Sequence, residues 1–145
     1  MRYKKPFFAV TFVLLLAGYA YVADQVPVGA QGQGAASQMP AGVQASKSAS
    51  GTTILADAKG MTLYTFMKDT EGKSNCNGQC EKNWPPLTAA ADEKPVGAWT
   101  IVTRDDGSKQ WAYKGMPLYR WAKDAKPGEA TGEGMGNGAW KTAMP

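Results

Sequence analysis

The sequence predicts a mainly β protein: a small antiparallel β domain built from two related repeat units with long loops. The main observation is an internal repeat, since residues 60–69 read GMTLYTFMKD and residues 115–124 read GMPLYRWAKD. Both copies start at a Gly suited to a turn, alternate apolar with polar residues and end at an Asp before a Gly-containing loop. A supersecondary unit that recurs in this way indicates a repeat architecture.

The first 23 residues have the composition of an export signal. A basic start, MRYKK, is followed by an apolar run over residues 6–23. A cleaved signal peptide is favoured, and an uncleaved signal-anchor helix is the alternative because the run is near the minimum length for spanning a bilayer. Either way the rest of the chain is expected outside the cytoplasm, with membrane contact only through this segment.

Residues 24–51 are rich in Gly, Ala, Gln and Ser and contain no aromatic residue. Such a segment buries too little apolar surface to offset its ordering entropy. We therefore expect a flexible, disordered low-complexity linker over 24–51 and a β repeat domain over 52–145, with repeat units at about 52–88 and 108–145.

Strands are predicted within the domain at 53–56, 61–67, 99–104, 109–114 and 116–122. The strand at 61–67 carries apolar groups on both faces and is expected to be central. Residues 105–107, Asp-Asp-Gly, form a hairpin turn between two of these strands. A single helical turn is expected at 79–84, where Pro85 and Pro86 stop it.

Charge and residue usage exclude several function classes. The formal net charge is +4, but Arg2, Lys4 and Lys5 lie in the leader, so the domain is nearly neutral and no nucleic-acid partner is expected. His is absent, which removes His-based nucleophile systems and His-liganded zinc, copper and haem sites. Cys76 and Cys80 are expected to form a local disulfide in an oxidising compartment. No cofactor is predicted.

The repeats resemble a family of bacterial exported proteins, many of them lipoproteins, that carry a repeated Tyr-x-(Phe/Trp/Tyr)-x-x-Asp motif. The resemblance implies export and a repeated β unit, but that family has no known function and therefore supplies no activity. Tyr19 stands where a lipid-attachment Cys would be expected, so anchoring by lipid is not expected. The matching motif residues are Tyr64, Phe66 and Asp69 in the first copy and Tyr119, Trp121 and Asp124 in the second.

The motif residues admit a structural and a functional interpretation. Most of the aromatic rings are expected to build the core, because rings bury much area in a small domain. The alternative is a partly exposed platform, with Trp84, Trp111 and Trp140 as the candidate contact surface for another exported protein, a sugar or a small aromatic ligand. Asp69 and Asp124 are expected to close their loops by accepting backbone N–H bonds, rather than to bind calcium or perform acid–base chemistry.

The leading hypothesis is a non-enzymatic extracytoplasmic binding or interaction module whose contact surface lies around the two repeat loops. One alternative is an electron-transfer accessory or a soft-metal (copper) carrier of the cell envelope that uses methionine and aromatic side chains, with Met61 and Met116 at equivalent repeat positions. The other alternative is an enzyme that uses Asp69 or Asp124.

Overall fold

The computed structural model describes residues 38–145. The predicted signal or anchor segment, and the first part of the predicted linker, lie outside the described residues. In chain order the elements are β1 (Val43–Lys47), β2 (Thr53–Asp57), β3 (Tyr64–Phe66), α1 (Gln79–Asn83), β4 (Trp99–Thr103), β5 (Lys109–Tyr113), β6 (Met116–Tyr119), α2 (Met135–Gly138) and β7 (Trp140–Thr142). No helix among them is long and apolar enough to cross a bilayer.

The strands form two antiparallel sheets. Strands β1 and β2 pair as a two-stranded hairpin, and the second sheet has the order β4-β5-β6-β3-β7. Strand β3 is therefore flanked on both sides, by β6 and β7, as its apolar pattern predicted. The mainly β, antiparallel fold and the short helix before Pro85 are confirmed.

The predicted linker is wrong from residue 43 onward. Strand β1 lies inside it and pairs along its whole length with β2, from Val43 opposite Asp57 to Lys47 opposite Thr53. No residue of β1 is buried, so the strand carries little hydrophobic pattern and its order comes from the backbone ladder to β2. Composition alone could not reveal a strand stabilised in this way.

The repeat units also begin earlier than the predicted boundaries of 52 and 108. The β1–β2 hairpin has the same register as the β4–β5 hairpin, with Val43 opposite Asp57 and Trp99 opposite Tyr113. Each repeat therefore consists of a hairpin, a motif strand, a long loop with one short helix, and a closing segment. The closing segment is β7 in the second repeat; in the first it contains the isolated bridge from Pro86 to Tyr119.

The two motif strands separate the core into two clusters. Successive side chains of a strand point to opposite faces, so Leu63 and Leu118 enter one cluster while Tyr64 and Tyr119 enter the other. The first cluster lies under the hairpins and also contains Trp99. The second is aromatic, and the two repeats meet in it.

Candidate functional site

The motif tyrosines and aspartates pair between the repeats. Tyr64 and Tyr119 lie opposite each other where β3 pairs with β6. The Tyr64 hydroxyl donates to Asp124 Oδ2 at 2.6 Å, and the Tyr119 hydroxyl donates to Asp69 Oδ2 at 2.6 Å. Each repeat thus supplies a phenol to the carboxylate of the other, and we call these two contacts the exchanged pairs.

Each carboxylate also closes its own loop. Asp69 Oδ1 accepts the Asn75 backbone N–H at 2.7 Å, and Asp124 Oδ1 accepts that of Thr131 at 3.0 Å. Both tyrosines are fully buried, and the two aspartates are 8% and 7% exposed. The geometry agrees with the predicted turn-closing role. The tyrosine partners were not foreseen, although antiparallel pairing of the two copies would bring each Tyr toward the other copy's Asp.

Burial dominates the electrostatics of the exchanged pairs. Burial, followed by the hydrogen bond to a carboxylate, raises the pKa of both tyrosines well above the usual value for a phenol. Burial also raises the pKa of Asp69, while hydrogen bonds from Tyr119 and Asn75 and the charge of Arg104 counteract part of that rise. Both phenols therefore stay protonated and act as donors.

The aromatic residues of the motif contact the opposite repeat as well. Phe66 stacks on Trp140 with ring centroids 4.3 Å apart, and Trp121 packs on Trp84 at 4.2 Å. Trp84 and Trp140 stack on each other at 3.7 Å, nearly parallel. The outcome is a row of four rings in which every contact joins the two repeats. Such ring pairs stabilise by about 0.5–1.5 kcal/mol each beyond their burial.

The candidate contact surface of three tryptophans is a wrong prediction. Trp84, Trp111 and Trp140 are only 5%, 2% and 4% exposed. Trp84 and Trp140 form the centre of the aromatic row, whereas Trp111 lies in the other cluster and donates its indole N–H to Glu93 at 3.1 Å. The rings fill the core because this small domain has few other large apolar side chains to bury.

The first-repeat loop is closed by a disulfide and by a buried arginine. Cys76 and Cys80 are bonded, and the Arg104 side chain, 1% exposed, reaches this loop from the β4–β5 turn. Its guanidinium donates to four oxygen acceptors, those of Ser74, Cys76 (backbone), Asn77 and Gln110, at 2.8–3.2 Å, and forms an ion pair with Glu81 at 3.1 Å. Charged and polar groups therefore fill this side of the molecule.

The second-repeat loop borders an open groove instead. A cavity of about 710 Å³ lies between the β1–β2 turn, residues 128–133 of this loop, and the chain at and after β7. Ile54 and Ala130 line its apolar interior, and Met144, a largely exposed side chain, lies at its edge. We call this cavity the repeat-two groove.

The carboxylates around the repeat-two groove already accept hydrogen bonds from the protein. Glu129 accepts two backbone N–H groups of its own loop, at 2.7 and 3.1 Å. Glu133 accepts the Thr142 backbone N–H at 2.6 Å and the Lys141 ammonium at 3.3 Å. Partial burial acts to raise the pKa of Glu133, but the bonds from Thr142 and Lys141 outweigh it, and the pKa lies below its usual value. The groove therefore combines an apolar interior with carboxylates that already accept hydrogen bonds.

Acidic and cysteine side chains are common metal ligands in proteins. Within residues 38–145, Cys, Asp and Glu side chains form no group of three or more that could hold a metal ion.

The repeat-two groove was not predicted beyond the expectation that the repeat loops form a contact surface. Its lining comes from three separate segments that carry no recognisable motif.

The fold and the exchanged pairs define a two-repeat β domain whose motif joins its halves. Residues 45–88 and 100–144 match a family described as a secreted repeat of unknown function, and the chain belongs to this family. The resemblance noted from the motif is thereby confirmed, as is the extracytoplasmic location. No curated protein and no solved structure matches the chain.

Proposed function

We propose that this protein is a non-enzymatic binding module of the extracytoplasmic space and that it takes a small molecule into the repeat-two groove. The observation that carries the proposal is the groove itself. Its volume of about 710 Å³ falls in the range of small-molecule sites, which are concave and mostly apolar with a few polar groups at fixed positions.

The burial and the contacts of the motif aspartates support a structural role for the motif. The groove is therefore the better candidate for the site of function. A catalytic carboxylate must reach its substrate, whereas Asp69 and Asp124 are buried and each is occupied by a phenol and a backbone N–H. The groove touches this network only at Thr131 and is open to solvent. A binding function therefore needs no change in the core.

A fragment screen followed by protein NMR tests this proposal. Neutral, cationic and anionic fragments are added to isotope-labelled protein, and the shifts of the backbone amide signals are mapped onto the structure. We expect the largest shifts at residues 48–54, 128–133 and 141–144. Ala49→Trp should block binding, because Ala49 is an exposed residue of the groove wall.

The matched control is Asp105→Trp, which places the same ring at the corresponding position of the β4–β5 turn, away from the groove. Its binding should equal that of the wild-type protein. Shifts confined to the disulfide loop, or the absence of any fragment that shifts the groove amides, would overturn the proposal.

A further inference from the structure

The turns of the two hairpins have the same hydrogen bonds, which identifies Ser48 as the counterpart of Arg104. Ser48 N–H donates to the Thr52 carbonyl and Arg104 N–H to the Ser108 carbonyl, both at 2.9 Å. The carbonyls of Ser48 and Arg104 in turn accept the N–H groups of Gly51 and Gly107, at 2.8 and 2.9 Å. The repeat-two groove is therefore the counterpart of the place that the Arg104 guanidinium fills in the other repeat.

The strand register extends this correspondence to the base of the groove. Thr53–Asp57 corresponds to Lys109–Tyr113, so Ile54 is the counterpart of Gln110. Gln110 accepts from the Arg104 guanidinium at 2.8 Å and is fully buried. Ile54 is equally buried but offers only hydrocarbon.

The loops show a second replacement of the same kind. Ser74 precedes Asn75, whose N–H closes the loop on its motif aspartate, and Ala130 precedes Thr131, whose N–H does the same. Ser74 accepts from Arg104 at 2.8 Å, whereas Ala130 has no hydroxyl. The guanidinium and two of its acceptors are thus replaced by smaller or apolar side chains.

These replacements determine whether a charged group of a ligand can be buried in the groove. A charged group placed at the base would lose its water and meet Ile54 and Ala130, neither of which carries a side-chain acceptor or donor, and such burial is strongly unfavourable. At the rim, the Glu129 and Glu133 carboxylates already have hydrogen-bond donors. At the base of the groove, neither a buried cation nor a buried anion finds a side-chain partner.

We infer that the ligand of the repeat-two groove is an uncharged small molecule with an apolar body, inserted where the other repeat places its own arginine. The inference rests on the proposed binding function and adds the chemical class of the ligand. The hydroxyls of Ser48, Ser50 and Thr52, which form a row along one rim, suit a neutral polar end such as an alcohol or carbonyl.

A matched series of probes tests the ligand class: naphthalene-methanol, naphthyl-methylamine and naphthoate share one ring system and differ in charge. Dissociation constants are measured from amide shifts at residues 48–54 and 128–133. We expect the alcohol to bind at least about tenfold more tightly than either charged probe, because desolvating a charged end costs far more than desolvating a hydroxyl.

The variant Ser48→Arg/Ile54→Gln/Ala130→Ser rebuilds the Arg104 arrangement inside the groove and should abolish binding of the alcohol. If this triple variant does not fold, Ala49→Trp provides the same test, with Asp105→Trp as the control that keeps binding. Unchanged binding by a folded groove variant would overturn the inference.

Two further results separate this inference from the proposed function. If naphthyl-methylamine or naphthoate binds in the groove as tightly as the alcohol, the inference that the ligand is uncharged is wrong, but the proposal that the groove binds a small molecule is supported. If neither these probes nor any screened fragment shifts the groove amides, both are wrong.

Discussion

Double-mutant cycles on the exchanged pairs test whether each repeat completes the core of the other. The perturbation is Tyr64→Phe, which removes the 2.6 Å hydrogen bond to Asp124 and leaves the ring in place. Hydrogen bonds to charged groups contribute about 1.5–3 kcal/mol. Asp124 keeps the Thr131 backbone N–H, so we expect the free energy of unfolding to fall by about 1.5–3 kcal/mol.

The cycle combines Tyr64→Phe with Asp124→Ala. The loss of unfolding free energy in the double variant is compared with the sum of the losses in the two single variants. Groups in direct contact couple by about 0.5–3 kcal/mol, whereas independent sites add within about 0.5 kcal/mol. We expect a coupling of about 1 kcal/mol or more for Tyr64 with Asp124, and less than about 0.5 kcal/mol for Tyr64 with Asp69. Urea unfolding followed by tryptophan fluorescence provides the free energies. Stronger coupling of Tyr64 with the Asp69 of its own repeat would refute the exchanged arrangement.

Three further predictions concern the same core. Because burial and the carboxylate partners raise the pKa of both motif tyrosines, the folded protein keeps two protons that the unfolded chain loses above pH 10. In urea unfolding between pH 9 and 11, the free energy of unfolding should hold below pH 10 and then fall by up to about 2.7 kcal/mol per pH unit. The fall should be less steep in a Tyr64→Phe variant. Gly132→Ala should destabilise by about 1–3 kcal/mol in thermal unfolding, since a Cβ atom there would lie 2.5 Å from the Trp84 ring; an unchanged melting temperature would contradict this packing. Reduction of the disulfide, which closes a short loop, should cost about 2 kcal/mol and leave the domain folded; unfolding on reduction alone would show that the bridge does more than restrain its loop.

Sequence patterns predicted the elements that carry strong side-chain signals. The strands at the motif, the β4–β5 hairpin and the short helix before Pro85 all follow from alternation, turn residues and proline. Strands β1 and β7 were missed for different reasons. Strand β1 consists mostly of small or polar residues, and β7 has only three residues after a Gly-rich loop. The repeat itself contained the missing signal, because a hairpin before the second copy implies one before the first.

The candidate site was less predictable than the fold. The groove lies where Ser48 and Ala130 are small and Ile54 is apolar, and residues of these types carry no recognisable sequence signal until the repeats are aligned in three dimensions. Their meaning comes from comparison with Arg104, Gln110 and Ser74, which requires the register of both hairpins.

Fragment complementation tests the central structural claim most directly. The chain is divided in the exposed loop between the repeats, and residues 38–94 and 95–145 are produced separately. Each half contains only one member of each exchanged pair and half of the aromatic row, so we expect neither half to show a cooperative unfolding transition. Mixed in equal amounts, the halves should assemble and recover the amide spectrum of the intact domain. A half that folds cooperatively by itself would contradict the conclusion that the repeated motif exists to join the two repeats.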